Sequence, residues 1–335
     1  MNPLENILLI RLKSIGDVLF TLPAVHIIRE NFPQARLHFL VSRENAPLLR
    51  GFSEIDEVIP LDREVYFSKN LKAICGTTIR LMRRLRQRSF SRVIDFQGYG
   101  ETELLAWWSG AHTRWGCVYN WSRGWLYTRG FRRNDKIHAA DWNLSLLQQC
   151  GLRISETRNV FILPADALAG AQNVFTACQL DVARPTLFIQ PLTSSPQKNW
   201  PLEHFLALAQ HWRAHDWQVL FGGGPSDRAA LEPARIAGFP VSAGVPLLVT
   251  AGLMKLSTLV VGCDTGLLHL AVALGKRVVM IMGSKALGRT HPFGHPDWAV
   301  TPLPGQPVAT IQIPAVIEAS EQALMALNLN SGGSQ

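Results

Sequence analysis

What most constrains this chain is the alternation, through its second half, of short apolar runs with amphipathic stretches. Residues 186–190 read as a buried strand, 202–215 as an amphipathic helix, 217–221 as a strand and 226–236 as a helix. Residues 247–256 then read as a helix, 258–262 as a strand, 266–274 as a helix and 278–282 as a strand. Strands that alternate with helices are joined by crossovers, and crossovers leave the strands parallel and cover both faces of the sheet. The expected architecture is a doubly wound α/β domain.

The first half begins the same way. A strand at 6–11 leads into the turn Ser14-Ile15-Gly16-Asp17, then a helix to about Asn31 that Pro23 kinks, then a strand at 36–41. A strand at 92–96 and a helix at 138–150, ended by Gly151, continue the pattern. A chain of 335 residues has length for two cores. With the linker placed between Pro164 and Pro185, the expected domains are 1–170 and 171–330. The last helix is expected to pack back on the first domain, and the tail from Asn328 to be disordered. Two Rossmann-like lobes facing a cleft would bind ligands at the carboxyl ends of their strands.

Charge separates the halves. Residues 1–165 carry 23 Lys and Arg against 15 Asp and Glu, while residues 166–335 carry 10 of each, so the net +8 lies in the first half. Such a half attracts nucleic acid, anionic lipid or a phosphorylated substrate. The five cysteines are scattered, without a Cys-x-x-Cys pair, which suits a reducing cytoplasm. The N-terminus lacks the apolar core and cleavage site of a signal peptide. The longest apolar stretch, 259–275, is interrupted by Asp264 and His269, so no membrane span is expected.

The residues suited to chemistry fall at predicted strand ends. Asp264 precedes a helix opening with Thr265-Gly266, whose free N–H groups form a site for a diphosphate. Asp264 reads equally as a simple helix cap, and His269 as a core histidine. In the turn 190–201, Thr193 and Ser194 can donate to phosphate oxygens and Lys198 can neutralise them, or the turn is an ordinary polar loop. Gly222-Gly223-Gly224 forms a third turn of this kind. Asp17 can take a proton from an attacking hydroxyl, or merely favour a helix N-terminus. The turn has one glycine and is neither a dinucleotide fingerprint nor a P-loop. No Asp-x-Asp occurs; Glu54-Ile55-Asp56 and Asp62-Arg63-Glu64 are the nearest approximations, and no metal is expected.

Between Thr78 and Arg92 stand Arg80, Arg83, Arg84, Arg86, Arg88 and Arg92 with no acid, on a segment with helical apolar spacing. From Leu104 to Asn134 there is again no acid, while Trp107, Trp108, Trp115, Trp121 and Trp125 mix with five arginines. Arginine with tryptophan suits a phosphorylated amphiphile at a membrane surface; a solvated basic face with core tryptophans is the plain alternative. No nucleic-acid module is recognisable, and no nucleic-acid partner is expected.

Together these residues resemble glycosyltransferase family nine, the heptosyltransferases of the lipopolysaccharide inner core. Asp264-Thr265-Gly266-Leu267-Leu268-His269-Leu270, followed by an alanine-bearing helix and Gly275, is similar to the family's signature. Ser14-Ile15-Gly16-Asp17 with Leu22-Pro23 is similar to its N-terminal motif, and Lys198-Asn199-Trp200-Pro201 to its Lys-x-Trp motif. Weaker matches are Asp95-Phe96-Gln97-Gly98, Ser109-Gly110 with Arg114 and Gly116, His138 with Asn143, and 221–227. The stretch 284–289 and the tail depart from many members, and Lys13 is an extra basic residue in the first turn.

The resemblance implies a GT-B fold, with 1–170 the acceptor-binding domain and 171–330 the nucleotide-sugar domain. It implies an inverting, metal-independent and cofactor-free transfer from ADP-heptose to a lipopolysaccharide precursor. Asp17 is then the general base. Thr193, Ser194, Lys198, Asp264, Thr265, Gly266 and His269 line the donor site, with Asp227 near the ribose and Val245 or Pro246 near the base. Apart from the resemblance, Lys13, Ser14, Arg80, Arg84 and Arg114 of the basic half are the expected acceptor-side residues. The implied partners are the nucleotide sugar and an anionic glycolipid, met by a cytoplasmic enzyme at the inner face of the membrane. A transferase using another sugar or nucleotide, and a nucleotide-sugar sensor without turnover, are the other readings.

Overall fold

The computed structural model describes residues 5–67 and 70–331. The chain divides into two compact units, Met1–Asn159 and Val160–Gln335.

The first unit is built on a six-stranded sheet. Its strands are β1 (Asn6–Ile10), β2 (Arg36–Ser42), β3 (Glu57–Leu61), β4 (Arg92–Asp95), β5 (Thr113–Val118) and β6 (Arg129–Arg132). They run in the order β3-β2-β1-β4-β5-β6, every pairing parallel. Ile7, Leu8, Leu9 and Ile10 are all fully buried, as a central strand covered on both faces requires. Because β1 lies between β2 and β4, the direction of winding reverses there, and a crevice opens beyond the carboxyl ends of β1 and β4.

The second unit repeats the plan. Its strands are β7 (Thr186–Gln190), β8 (Gln218–Gly223), β9 (Val241–Ala243), β10 (Leu259–Cys263), β11 (Val278–Ile281) and β12 (Ala299–Val300). They are ordered β12-β11-β10-β7-β8-β9, again all parallel, so the reversal falls between β7 and β10. Leu187, Ile189, Phe205, Phe221, Val261 and Ile281 sit in one buried cluster beneath this sheet. The two sheets are the Rossmann-like pair of a GT-B architecture.

Several boundaries differ from expectation, each for a local reason. Pro23 does not kink one helix. The segment is two helices, Ile15–Leu19 and Leu22–Asn31, and proline sits in the first turn of the second, where its missing N–H leaves no intrahelical bond unmade. Residues 226–236 hold a short 3-10 turn, Pro225–Asp227, and a helix confined to Glu232–Ile236, with Pro233 in its opening turn. The expected linker contains a helix, Ala165–Ala177, which belongs to the second unit. It packs against the helix Leu247–Leu256 so closely that a side chain on Gly252 would lie 2.5 Å from Ala171 Cβ. The boundary therefore falls ahead of residue 170.

The final helix runs Ile313–Ser331, through part of the segment expected to be disordered; the remainder, 332–335, is outside the described residues. Val316 and Ala323 of that helix enter the core of the second unit. Among the described residues no helix is long and apolar enough to cross a membrane.

Candidate functional site

Asp17 and the expected donor-side residues, apart from Asp227 and Val245 or Pro246, fall at the two winding reversals. In the second unit the turn after β7 is anchored by Trp200. Its indole is buried, Nε1 donates to Ile311 O at 2.8 Å, and its backbone N–H donates to Cys263 Sγ at 3.2 Å. That last bond ties the turn after β7 to the end of β10. Thr193 closes the turn from within: its N–H donates to Asn199 Oδ1 at 2.9 Å and its hydroxyl donates to Ser195 O at 2.8 Å. Ser194 is exposed.

The anchored turn delivers Lys198 to Asp264. Lys198 Nζ lies 2.9 Å from Asp264 Oδ2, and His269 Nε2 lies 3.4 Å from Asp264 Oδ1. Asp264 and His269 are buried, Lys198 half-exposed. Burial pushes the Asp264 carboxyl up, but His269 and Lys198 outweigh it and hold the group below the ordinary carboxylate range. Asp264 is not the helix cap. Thr265 occupies that position at the start of the helix Gly266–Ala273, and Asp264 instead joins the two turns. Thr265 Oγ1 and Gln190 Oε1 are buried at this crevice without a hydrogen-bond partner among the described residues. Unpaired buried polar atoms at a strand-end crevice are what a polar ligand would satisfy.

The glycine run is different from expectation. Gly222 and Gly223 lie within β8, and a side chain on Gly222 would meet the Phe188 ring at 2.3 Å, so packing requires this glycine. Asp227 is occupied locally: its Oδ2 accepts the Gly224 N–H at 2.8 Å. Pro246 caps the helix Leu247–Leu256, just after β9.

In the first unit Asp17 stands in the third position of the helix Ile15–Leu19. Its carboxylate accepts the Ser14 N–H at 3.0 Å and the Ser14 hydroxyl at 3.2 Å, and pairs with Arg11 Nη2 at 2.8 Å. The side chain remains 36 % exposed. Burial raises its pKa, while the Arg11 charge and the Ser14 bonds lower it more, so the carboxyl sits below its ordinary range. Asp17 therefore braces a helix start and also presents a charged carboxylate at the β1/β4 crevice.

The turn carrying Asp17 is held from behind by residues of the weaker motif matches, Asp95, Gln97, Gly116 and Asn143, together with Arg11 and Tyr127, to which the sequence reading assigned no role. Gln97 Oε1 accepts the Leu12 N–H at 2.8 Å and the Lys13 N–H at 3.4 Å, and Arg11 Nη1 donates to Phe96 O at 2.8 Å. Asp95, fully buried, accepts the Gln97 and Gly98 N–H groups and the Tyr127 hydroxyl, the last at 2.6 Å. Burial pushes the Asp95 pKa up. Gly116 makes room for this bond, since a side chain there would meet the Tyr127 ring at 2.2 Å. Asn143 Nδ2 donates to Phe20 O at 2.8 Å, bracing the other end of the short helix.

The remaining acceptor-side residues are dispersed. Lys13 and Ser14 are exposed in the Asp17 turn, and Arg80 and Arg84 are exposed on the helix Leu71–Arg86. Arg114 is engaged in the fold, donating to Leu126 O at 2.8 Å and Ala111 O at 2.7 Å. Among the tryptophans, Trp115 is buried beneath the Arg92 guanidinium, while Trp107 and Trp125 are exposed. The Trp121 side chain lies outside the described ones.

Two Rossmann-like sheets in one chain, each with polar side chains gathered at its winding reversal, define the GT-B class of fold. The chain belongs to glycosyltransferase family 9 (heptosyltransferase), whose model matches residues 78–310. It is similar to lipopolysaccharide heptosyltransferase 1 of Pseudomonas aeruginosa, 26 % identical over 86 % of this chain and 81 % of that protein. Its fold is that of a family 9 glycosyl transferase from Veillonella parvula, with TM-score 0.85 and 21 % identity over 96 % of this chain and 98 % of that one. It is also that of the Escherichia coli heptosyltransferase WaaC solved with ADP, with TM-score 0.74 and 22 % identity over 95 % and 99 %.

Proposed function

We propose that this glycosyltransferase moves heptose from ADP-heptose to the inner core of a lipopolysaccharide precursor, with inversion and without a metal. The observation that carries the reading is the Lys198–Asp264–His269 cluster at the β7/β10 crevice, beside the start of the helix Gly266–Ala273. Its cation and free helix N–H groups suit a diphosphate leaving group. Membership of the family, a relative named as a lipopolysaccharide heptosyltransferase and a fold relative solved with ADP support the sugar and the nucleotide.

In this mechanism an acceptor hydroxyl attacks the anomeric carbon as the bond to ADP breaks. The hydroxyl proton passes to Asp17, and ADP leaves with the bonding electrons. A single displacement inverts the anomeric centre. The low pKa of Asp17 makes it a weak base toward an intact hydroxyl, so proton transfer follows bond formation, when the attacking oxygen has become acidic. Lys198 and the Thr265 helix start supply the countercharge for ADP, a role a divalent ion fills in other transferases. The enzyme works from the cytoplasm against the inner face of the membrane, where an anionic glycolipid is presented.

Mass-spectrometric assay with ADP-heptose and either Kdo-bearing or monoheptosylated lipid A, in EDTA, tests this. Wild type is expected to form product, and Asp17→Ala to lose about 10²–10⁴-fold in kcat. No product with either acceptor from folded protein overturns the heptosyl assignment. Competition by ADP against UDP, GDP and CDP then identifies another donor, and tight donor binding without turnover identifies a sensor.

A further inference from the structure

The helix Leu71–Arg86 buries Leu81 and Leu85 in the core of the first unit and leaves Arg80, Arg83, Arg84 and Arg86 exposed. Along it runs a groove of about 330 Å³ lined by Ile79, Met82, Arg83, Arg86 and Gln87. The floor is apolar, with Ile79 49 % exposed, and the rim is cationic. Arg86 Nε donates to Trp108 O at 3.1 Å, which sets the groove beside the end of the helix Gly100–Trp108. There Trp107, 43 % exposed, meets Trp125, 69 % exposed, edge to face at a centroid distance of 6.5 Å. Leu104, one turn earlier, is exposed as well. Neither 78–92 nor 104–134 contains an acidic residue.

We propose that this surface, from the Arg83 and Arg86 groove to the Trp107–Trp125 pair, docks the enzyme on an anionic phospholipid bilayer. Indole rings favour the interface between headgroups and acyl chains, and arginines beside them find lipid phosphates. Exposed tryptophans next to an apolar groove cost solvation in water and lose that cost at a membrane. A second copy of the chain fits poorly, because arginines would face arginines. A nucleic-acid backbone would leave the apolar floor unused. The inference extends the reading of the acceptor as a glycolipid by naming the surface that brings the enzyme to it.

The test is co-sedimentation of the full chain with phosphatidylcholine vesicles and with vesicles containing phosphatidylglycerol, neither carrying a sugar acceptor. Binding to the anionic vesicles alone, with release at high salt and a blue shift of tryptophan emission, is expected. Arg83→Ala should weaken binding roughly fivefold. Trp125→Ser should remove most of the emission shift and Trp125→Phe should retain vesicle binding, all with unchanged thermal melting. Equal binding to neutral vesicles, no binding to either, or wild-type binding by Arg83→Ala and Trp125→Ser overturns the proposal. So does a concentration-dependent dimer that Trp125→Ser abolishes, or duplex DNA binding that Arg83→Ala weakens without any vesicle binding. Because no acceptor is present, failure here leaves the transferase reading standing, and failure of heptosyl transfer leaves the docking result standing.

Discussion

At the residue scale, the ion pair Arg11–Asp17 sets the charge state of the proposed base. Arg11 keeps Asp17 charged to lower pH than an ordinary carboxyl. Replacing it in Arg11→Met removes that stabilisation of the anion, so the acid limb of the kcat/KM profile should move to higher pH. An unmoved acid limb would mean that Asp17 is not the group titrating in the free enzyme. Asp264 obeys the same sign in stability. Its folded pKa is depressed, so its contribution is complete above the unfolded value of about 3.9 and is lost as pH falls through the folded value. Asp264→Asn should therefore be less stable than wild type at neutral pH, and the difference should shrink toward pH ~3 in urea melts. Its size at neutral pH is about 1.5–3 kcal/mol, the range for bonds to charged groups, nearer the low end because Lys198 is half-exposed.

At the element scale, the turn after β7 is set by Trp200 more than by its polar residues. Trp200→Ala removes a buried indole together with a bond to Ile311 O, and should cost about 3–5 kcal/mol in denaturant melts. A much smaller loss would show that the turn holds without its anchor. The sequence announced this half well, because β7 and the helix Leu247–Leu256 are continuous apolar runs with clear ends. It was less legible around β3, β5 and β6. The edge strand β3 contains Pro60, while Thr113–Val118 and Arg129–Arg132 mix arginine, glycine and aromatics as strands at or near a sheet edge can. Candidate site residues were visible where a strand ended in a polar turn, as at Asp17, Lys198 and Asp264. Gln97 was visible only as part of a weaker motif match, and its role was not, since a bond to Leu12, 85 residues away, is a contact that no local pattern encodes.

At the scale of the whole molecule, the cysteines report on folding. Burial pushes the thiols of Cys117, Cys150 and Cys263 up to about 12, leaving them protonated at neutral pH, while Cys75 is exposed. Alkylation of the native protein should mark Cys75 first, and mass mapping should find the three buried thiols modified only after unfolding. Early labelling of Cys263 would mean that the contact between the turn after β7 and the end of β10 opens readily.

The shared strand order of the two sheets carries a consequence for how such enzymes diversify. One winding has been used twice, yet its two crevices hold unlike chemistry: a guanidinium-paired carboxylate in one, and a lysine–aspartate–histidine cluster in the other. Each half is supported by its own interior, so substitutions that remodel the surroundings of Asp17 need not disturb those that hold Lys198. On the proposed division of acceptor and donor between the two crevices, such a chain can change the acceptor it modifies while keeping the same activated sugar, much as a tool changes its bit and keeps its motor.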